Sequence, residues 1–180
     1  MRIRIALAML LPFLPLAAQW PGPDTLGAQV RLSLPGGNLP DATGSRAPGY
    51  GASLMAEMHF ESTVCARAEL GMDNWAQKGG SGDRSVRAYH LGVEALCFLQ
   101  DSGDYLKGPY LAAGAGVYTW ALGADTRATG KPLRSAKAAL TAGFGYRFNA
   151  HLDAELKILA GKIDADFTGN ATLIGITWRF

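Results

Sequence analysis

The side chains that could do chemistry are few and scattered. The histidines are His59, His90 and His151, and the cysteines are Cys65 and Cys97. Acyl transfer needs a nucleophilic serine, a histidine base and an acid that orients the base. His59 and His90 lie near Glu57 and Glu94, but two residues after His90 comes Gly92, and two after His59 comes Glu61. No serine follows either at that spacing, so both read as structural histidines, and His151 reads as a solvated turn residue. Three dispersed histidines without ligand-spaced partners make no metal site. The expectation is no catalytic residue, no cofactor, no metal and no enzyme.

Cys65 and Cys97 are a candidate disulfide, because a hairpin centred on Ser81 would set them directly opposite each other. Alternation argues the other way, with Cys65 in a polar phase and Cys97 in an apolar one. Pairing them would need a bulge between Glu94 and Cys97. The alternative is two small buried apolar residues.

Charge carries more information. Arg31, Arg67, Lys137, Arg147, Lys157 and Arg179 occupy the same alternating phase as Glu57, Glu69, Glu94, Asp153 and Glu155. A turn centred on Ser62 sets Glu57 across from Arg67, and one centred on Ala150 sets Arg147 across from Asp153. Such cross-strand pairs contribute roughly 0.2–1 kcal/mol each. Together these residues are expected to form an interior charge network.

The elements that position them alternate with period two, which is the strand signal. Eight runs do so: 26–34, 49–60, 64–73, 85–99, 109–121, 136–148, 151–161 and 170–180. Their lengths suit tilted strands crossing a bilayer. The links at 35–48, 74–84, 122–135 and 162–169 are long and polar; those at 61–63 and 149–150 are tight, and 100–108 is intermediate. Long loops at one end and short turns at the other are the arrangement of an outer-membrane barrel. The third loop, with Asp125, Arg127, Lys131 and Arg134, is mildly basic and suited to anionic lipopolysaccharide.

Composition agrees. The chain has 180 residues, 48% hydrophobic and 18% charged, with 23 glycines and a net charge of +2, which is no nucleic-acid signature. Arg2 and Arg4, an apolar stretch from Ile5 to Leu16 and small residues to Ala18 form the three-part plan of a signal peptide, expected over 1–18. Residues 19–180 are then one barrel domain, with no further domain expected after the last strand.

Alternation alone does not say which face lies outside. A soluble ligand-binding barrel keeps its apolar face inward, but eleven charges cannot fill such a cavity without large desolvation costs. Aromatics also gather at strand ends: Phe60, Phe148, Trp178 and Phe180 at the turn end, Tyr50 and Tyr89 at the loop end, with Trp75 in the adjoining loop. Two such bands form the girdles of a spanning barrel.

The chain stops at Thr177-Trp178-Arg179-Phe180, and it carries Gly-aromatic runs at Gly114–Tyr118 and Gly143–Phe148. Here it resembles the small outer-membrane β-barrels of Gram-negative-type bacteria, the OmpX, OmpA-barrel and opacity-protein class. The resemblance implies an all-β, eight-stranded antiparallel up-and-down transmembrane β-barrel in the cell outer membrane. It also implies that Ile174, Ile176, Trp178 and Phe180 form a C-terminal insertion signal. The partners implied are outer-membrane lipid and lipopolysaccharide, the barrel-insertion machinery and periplasmic chaperones, with the protein itself a monomer. Lipid A deacylase barrels place His and Ser two apart on the lipid side, a pattern absent here. The expected role is structural or one of surface interaction. The alternative is a small pore or carrier for apolar solutes, for which the inward Gly51, Gly71, Gly92, Gly114, Gly143 and Gly175 would leave room.

Overall fold

A computed structural model of the protein describes residues 25–61, 63–75, 85–100, 106–124 and 132–180. The expected leader, and the loop residues Asp125, Arg127 and Lys131, lie outside the described residues. The described chain forms strands β1 (Thr25–Pro35), β2 (Gly49–Glu61), β3 (Val64–Trp75), β4 (Val86–Phe98), β5 (Gly108–Leu122), β6 (Leu133–Arg147), β7 (Leu152–Gly161) and β8 (Ala171–Arg179). Each pairs antiparallel with its sequence neighbours, and β1 pairs with β8 to close the barrel. No helix among the described residues is long and apolar enough to cross a membrane.

The outer face is apolar. Val30, Leu54, Leu140 and Ile176 are each more than half exposed, at 65, 64, 64 and 56%. An exposed apolar belt around the whole circumference is far beyond what a water-soluble monomer carries. Phe60, Tyr146, Phe148, Trp178 and Phe180 ring the turn end, and Tyr50 and Tyr89 the loop end, all exposed. Trp75 does not join them. β3 runs two residues further than alternation suggested, and the phase of Arg67, Glu69 and Asp73 carries Trp75 inward, where it is 1% exposed.

Short turns join the strands at one end. Asn149 Oδ1 accepts hydrogen bonds from the His151 and Leu152 backbone N–H groups at 2.8 and 3.0 Å, an Asx turn between β6 and β7. The loop end is more elaborate. A five-residue helix, α1 (Leu39–Thr43), was not expected from periodicity, since one turn containing Pro40 is too short to show any. It closes at Gly44 with φ 66°, a left-handed cap that suits glycine, and turns Leu39 and Ala42 into the barrel mouth. Asn38 ties this first loop to the fourth: its amide donates to the Asp166 carbonyl at 2.7 Å, and its oxygen accepts from Thr168 N and Oγ1 at 2.7 and 2.8 Å. The latch sits on the β1–β8 seam, where Gly36 N also donates to the Asn170 carbonyl at 2.9 Å. At the turn end of the same seam, Phe180 N donates to the Leu26 carbonyl at 2.9 Å.

Candidate functional site

The barrel interior is stacked in three layers. At the turn end Cys65, Leu96, Phe98, Leu106, Tyr110 and Ala112 pack together. At the loop end Leu39 and Ala42 of α1 sit on Trp75, Trp120, Tyr118, Leu159, Ile163 and Leu173. Trp75 stacks on Trp120 at 5.9 Å between ring centroids, Trp120 on Tyr118 at 5.9 Å, and Tyr118 on His90 at 5.0 Å. Trp75 is pinned by an indole hydrogen bond to the Ser33 carbonyl at 3.1 Å.

Between these apolar layers lies charge, all of it buried and paired. Register sets Glu57 opposite Arg67, Arg67 opposite Glu94, and Arg147 opposite Asp153. Arg67, fully buried, donates to Glu94 through Nε at 3.1 Å and Nη2 at 2.5 Å, pairs with Glu155, and lies 3.9 Å from Glu57. Lys157 Nζ reaches Glu94 at 3.0 Å, Glu69 at 3.3 Å and Glu155 at 3.4 Å. Arg31 forks onto Asp73, Nε to Oδ1 at 2.8 Å and Nη2 to Oδ2 at 2.7 Å, and also pairs with Glu69. Nearer the turn end Arg147 donates to Glu57 at 2.7 Å and to Asp153 at 3.2 Å, while Arg179 reaches Asp153 at 2.9 Å and Glu57 at 3.4 Å. Tyr110, Gln29 and Thr141 fill remaining acceptor positions, donating to Glu155 at 2.6 and 2.9 Å and to Glu94 at 2.8 Å.

Ten of the eleven charged residues singled out from the sequence therefore meet inside. Lys137 is the exception. Its phase is inward, but β6 pairs with β7 only from Ala139 towards the turn end, so Lys137 stands above the rim and is exposed. Asp73 takes the remaining place in the network. Its phase already matched Glu69, and its position near the expected end of the third strand hid it.

Among the described residues, the space beside most of the inward glycines is filled by neighbouring side chains. A Cβ built on Gly51 would lie 2.1 Å from Asp73 Oδ1, and one on Gly145 would lie 2.3 Å from Tyr110 Cζ. Gly114 beside Glu94 and Gly143 beside Lys157 repeat the arrangement. Each large side chain occupies the space that a neighbouring glycine vacates. The gap left between Glu69, His90, Glu94, Tyr118 and Thr141 is about 10 Å³, room for one water at most.

Among the described residues, no acyl-transfer constellation forms around the histidines. His90 Nε2 lies 3.1 Å from both Arg31 Nη2 and Glu69 Oε1. His59 stands opposite Cys65, and with Glu57 they bring one donor atom each within 4.8 Å of one another. A cation is nonetheless poorly placed there, because the Glu57 carboxylate is already bound by Arg147 and Arg179 and faces Arg67. The three guanidinium groups would repel a metal ion.

Cys65 and Cys97 are both free thiols. The register pairs Cys65 with Leu96 and Val64 with Cys97, so Cys65 points into the barrel and Cys97 out of it. No bulge interrupts β3–β4 to bring them to one face. An apolar maleimide is expected to add one label to the detergent-folded protein, at Cys97, and two after unfolding. Two labels on the folded barrel, or none, would contradict this placement by mass spectrometry.

No protein-family model and no curated protein matches the chain. Solved structures do. Ail, the attachment invasion locus protein of Yersinia pestis, aligns with a TM-score of 0.52 at 13% identity over 89% of this chain and 100% of its own. Ail is also known in complex with the heparin analogue sucrose octasulfate. Neisserial surface protein A aligns with a TM-score of 0.55 at 17% identity, covering 87% of this chain and 96% of its own. The N-terminal barrel of Pseudomonas aeruginosa OprF gives 0.53 at 15%, over 89% and 100%. Closed topology, an apolar outer belt and these likenesses place the chain in the fold class of the small eight-stranded outer-membrane β-barrels.

Proposed function

We propose that this chain resides in the outer membrane as a stoppered barrel with a structural or surface-interaction role and no catalytic one. The observation that carries the reading is the filled interior: an ion-paired middle layer, sealed at the loop end by the Trp75–Trp120–Tyr118 stack and α1. A barrel of eight strands is just wide enough for its side chains to fill. The described ends of the loops, clasped by Asn38, make the surface that meets partners, with lipopolysaccharide the first of them. Ile174, Ile176 and Trp178 lie on the outer face of β8 and exposed Phe180 follows directly after it, where the insertion machinery would read them, and periplasmic chaperones would hold the chain before that.

A pore or carrier for apolar solutes would need a path, and the described interior gap between Glu69, His90, Glu94, Tyr118 and Thr141 is no wider than a water. Two measurements test the reading together. The refolded protein is expected to migrate differently on a detergent gel before and after boiling, and to leave planar lipid bilayers electrically silent. Steady single-channel steps from a heat-modifiable protein would replace this proposal with the pore. A chain recovered as a soluble species without a mobility shift would remove the membrane assignment itself.

A further inference from the structure

Among the outward-facing positions whose side chains are described, the eight strands carry two charged residues, Arg87 on β4 and Arg134 on β6. Both are exposed, and both lie at the loop end. They are not scattered. The register places Arg87 opposite Ala121 of β5, and Ala121 opposite Arg134. The two arginines thus flank one small residue, their backbones roughly 10 Å apart across two strand spacings. Between them opens a cleft of about 250 Å³, lined by Ser85, Arg87, Ala121, Gly123, Pro132 and Arg134.

No acidic side chain lines the cleft among the described residues, and neither arginine has an ion-pair partner there. Two like charges held side by side repel each other. In a band whose other described side chains carry no charge, that arrangement is explained by an anion that both can bind. The cleft is smaller than the roughly 300–1,000 Å³ of sites that engulf a drug-sized molecule, so it suits one group of a larger ligand. Its depth fixes what that ligand is. Tyr89, two residues below Arg87 on the same strand, belongs to the loop-end girdle, and beneath it Leu91, Val117 and Leu140 face hydrocarbon. A molecule seated here has an anion at the interface and apolar chains below it.

We propose that Arg87 and Arg134 form a binding site for the phosphate of a multi-acylated glycolipid in the leaflet at the loop end. Each guanidinium can fork onto phosphate oxygens, while the acyl chains lie along the belt beneath Ala121. The site rests on the outer-membrane reading above and names where the lipid is held.

The test uses the mature protein refolded into phosphatidylcholine vesicles, with or without a small fraction of bisphosphorylated lipid A, and reads the thermal unfolding midpoint. Lipid A is expected to raise the midpoint of the wild type in a saturable way, and lipid A stripped of its phosphates is expected not to. In the Arg87→Gln/Arg134→Gln variant the apparent affinity falls at least about tenfold, as befits loss of charge-assisted forks. Each single variant loses part of the affinity, and Lys137→Gln, a rim lysine outside the cleft, retains all of it. Equal shifts in wild type and double variant, or equal shifts with and without the phosphates, would overturn the site. An arginine-dependent shift produced as well by inorganic phosphate or sucrose octasulfate without lipid A would overturn the lipid assignment in favour of a soluble anion. Heat-modifiability is checked in every sample. If the wild type fails to insert, the outer-membrane reading falls and the site with it; if it inserts without a phosphate-dependent shift, the site alone falls.

Discussion

Replacing Arg67 with Met is expected to lower the unfolding free energy of the barrel by about 3–5 kcal/mol, the usual consequence of removing one partner from a buried ion pair. Arg67 is fully buried and stands at the centre of the network, bound to Glu94 and Glu155 and facing Glu57. The buried layer holds five cationic side chains (Arg31, Arg67, Arg147, Lys157 and Arg179) against six carboxylates (Glu57, Glu69, Asp73, Glu94, Asp153 and Glu155). Its balance is already short of positive charge before the substitution. Met fills much of the volume, so the loss reports charge more than packing. Adding Glu155→Gln to Arg67→Met removes one of the stranded carboxylates and is expected to recover part of the stability. Urea unfolding in lipid vesicles, followed by tryptophan fluorescence, measures both. A change below about 1 kcal/mol for Arg67→Met would show that water, and not Arg67, satisfies these carboxylates.

The second large effect is expected at Gly145. A Cβ there would meet the Tyr110 ring at 2.3 Å and its hydroxyl oxygen at 2.5 Å. That hydroxyl donates to Glu155 at 2.6 Å. Gly145→Val therefore displaces a buried ring and breaks a hydrogen bond to a charged acceptor. Overpacking alone costs about 1–3 kcal/mol, and the lost charged hydrogen bond adds about 1.5–3 kcal/mol. The combined loss should exceed about 3 kcal/mol. A double-mutant cycle with Tyr110→Ala isolates the contact: the two changes together should be less damaging than the sum of each alone. Simple additivity would mean that Gly145 is required by the strand and not by the ring.

Period-two alternation made most of this architecture legible, because every strand separates lipid from a charged interior. The expected runs match the observed strands to within a few residues; the largest difference is β6, which begins at Leu133 instead of residue 136. Leu133, Arg134 and Ser135 lack a strong apolar beat, yet the ladder with β5 continues through them to Leu122. Trp75 was misplaced for a related reason: strand ends are fixed by hydrogen bonding to a neighbour, and composition marks them poorly. The single turn of α1 left no periodic trace. Glycine was the subtlest case. Phase alone identifies Gly51 or Gly145 as inward and suggests space, whereas register shows that Asp73 and Tyr110 already occupy it. The cross-strand pairs around tight turns were readable because a short turn fixes register. Contacts across the barrel, such as Arg67 with Glu155 or Lys157 with Glu69, depend on closure and have no local signature.

Closure also sets an order of events. Seven of the eight strand pairings are hairpins, available as soon as two consecutive segments exist. The eighth joins residues such as Val30 and Ile176, near opposite ends of the described chain. Bringing such distant segments together carries a larger loop entropy than any hairpin, so β1–β8 is expected to be the last contact made in assembly and the first surrendered in disassembly. Until it forms, two unpaired strand edges stay open to other chains. The Asn38 latch at one end of the seam and the Phe180 contact at the other then act as the two halves of a clasp, turning a curled sheet with sticky margins into a cylinder that has none.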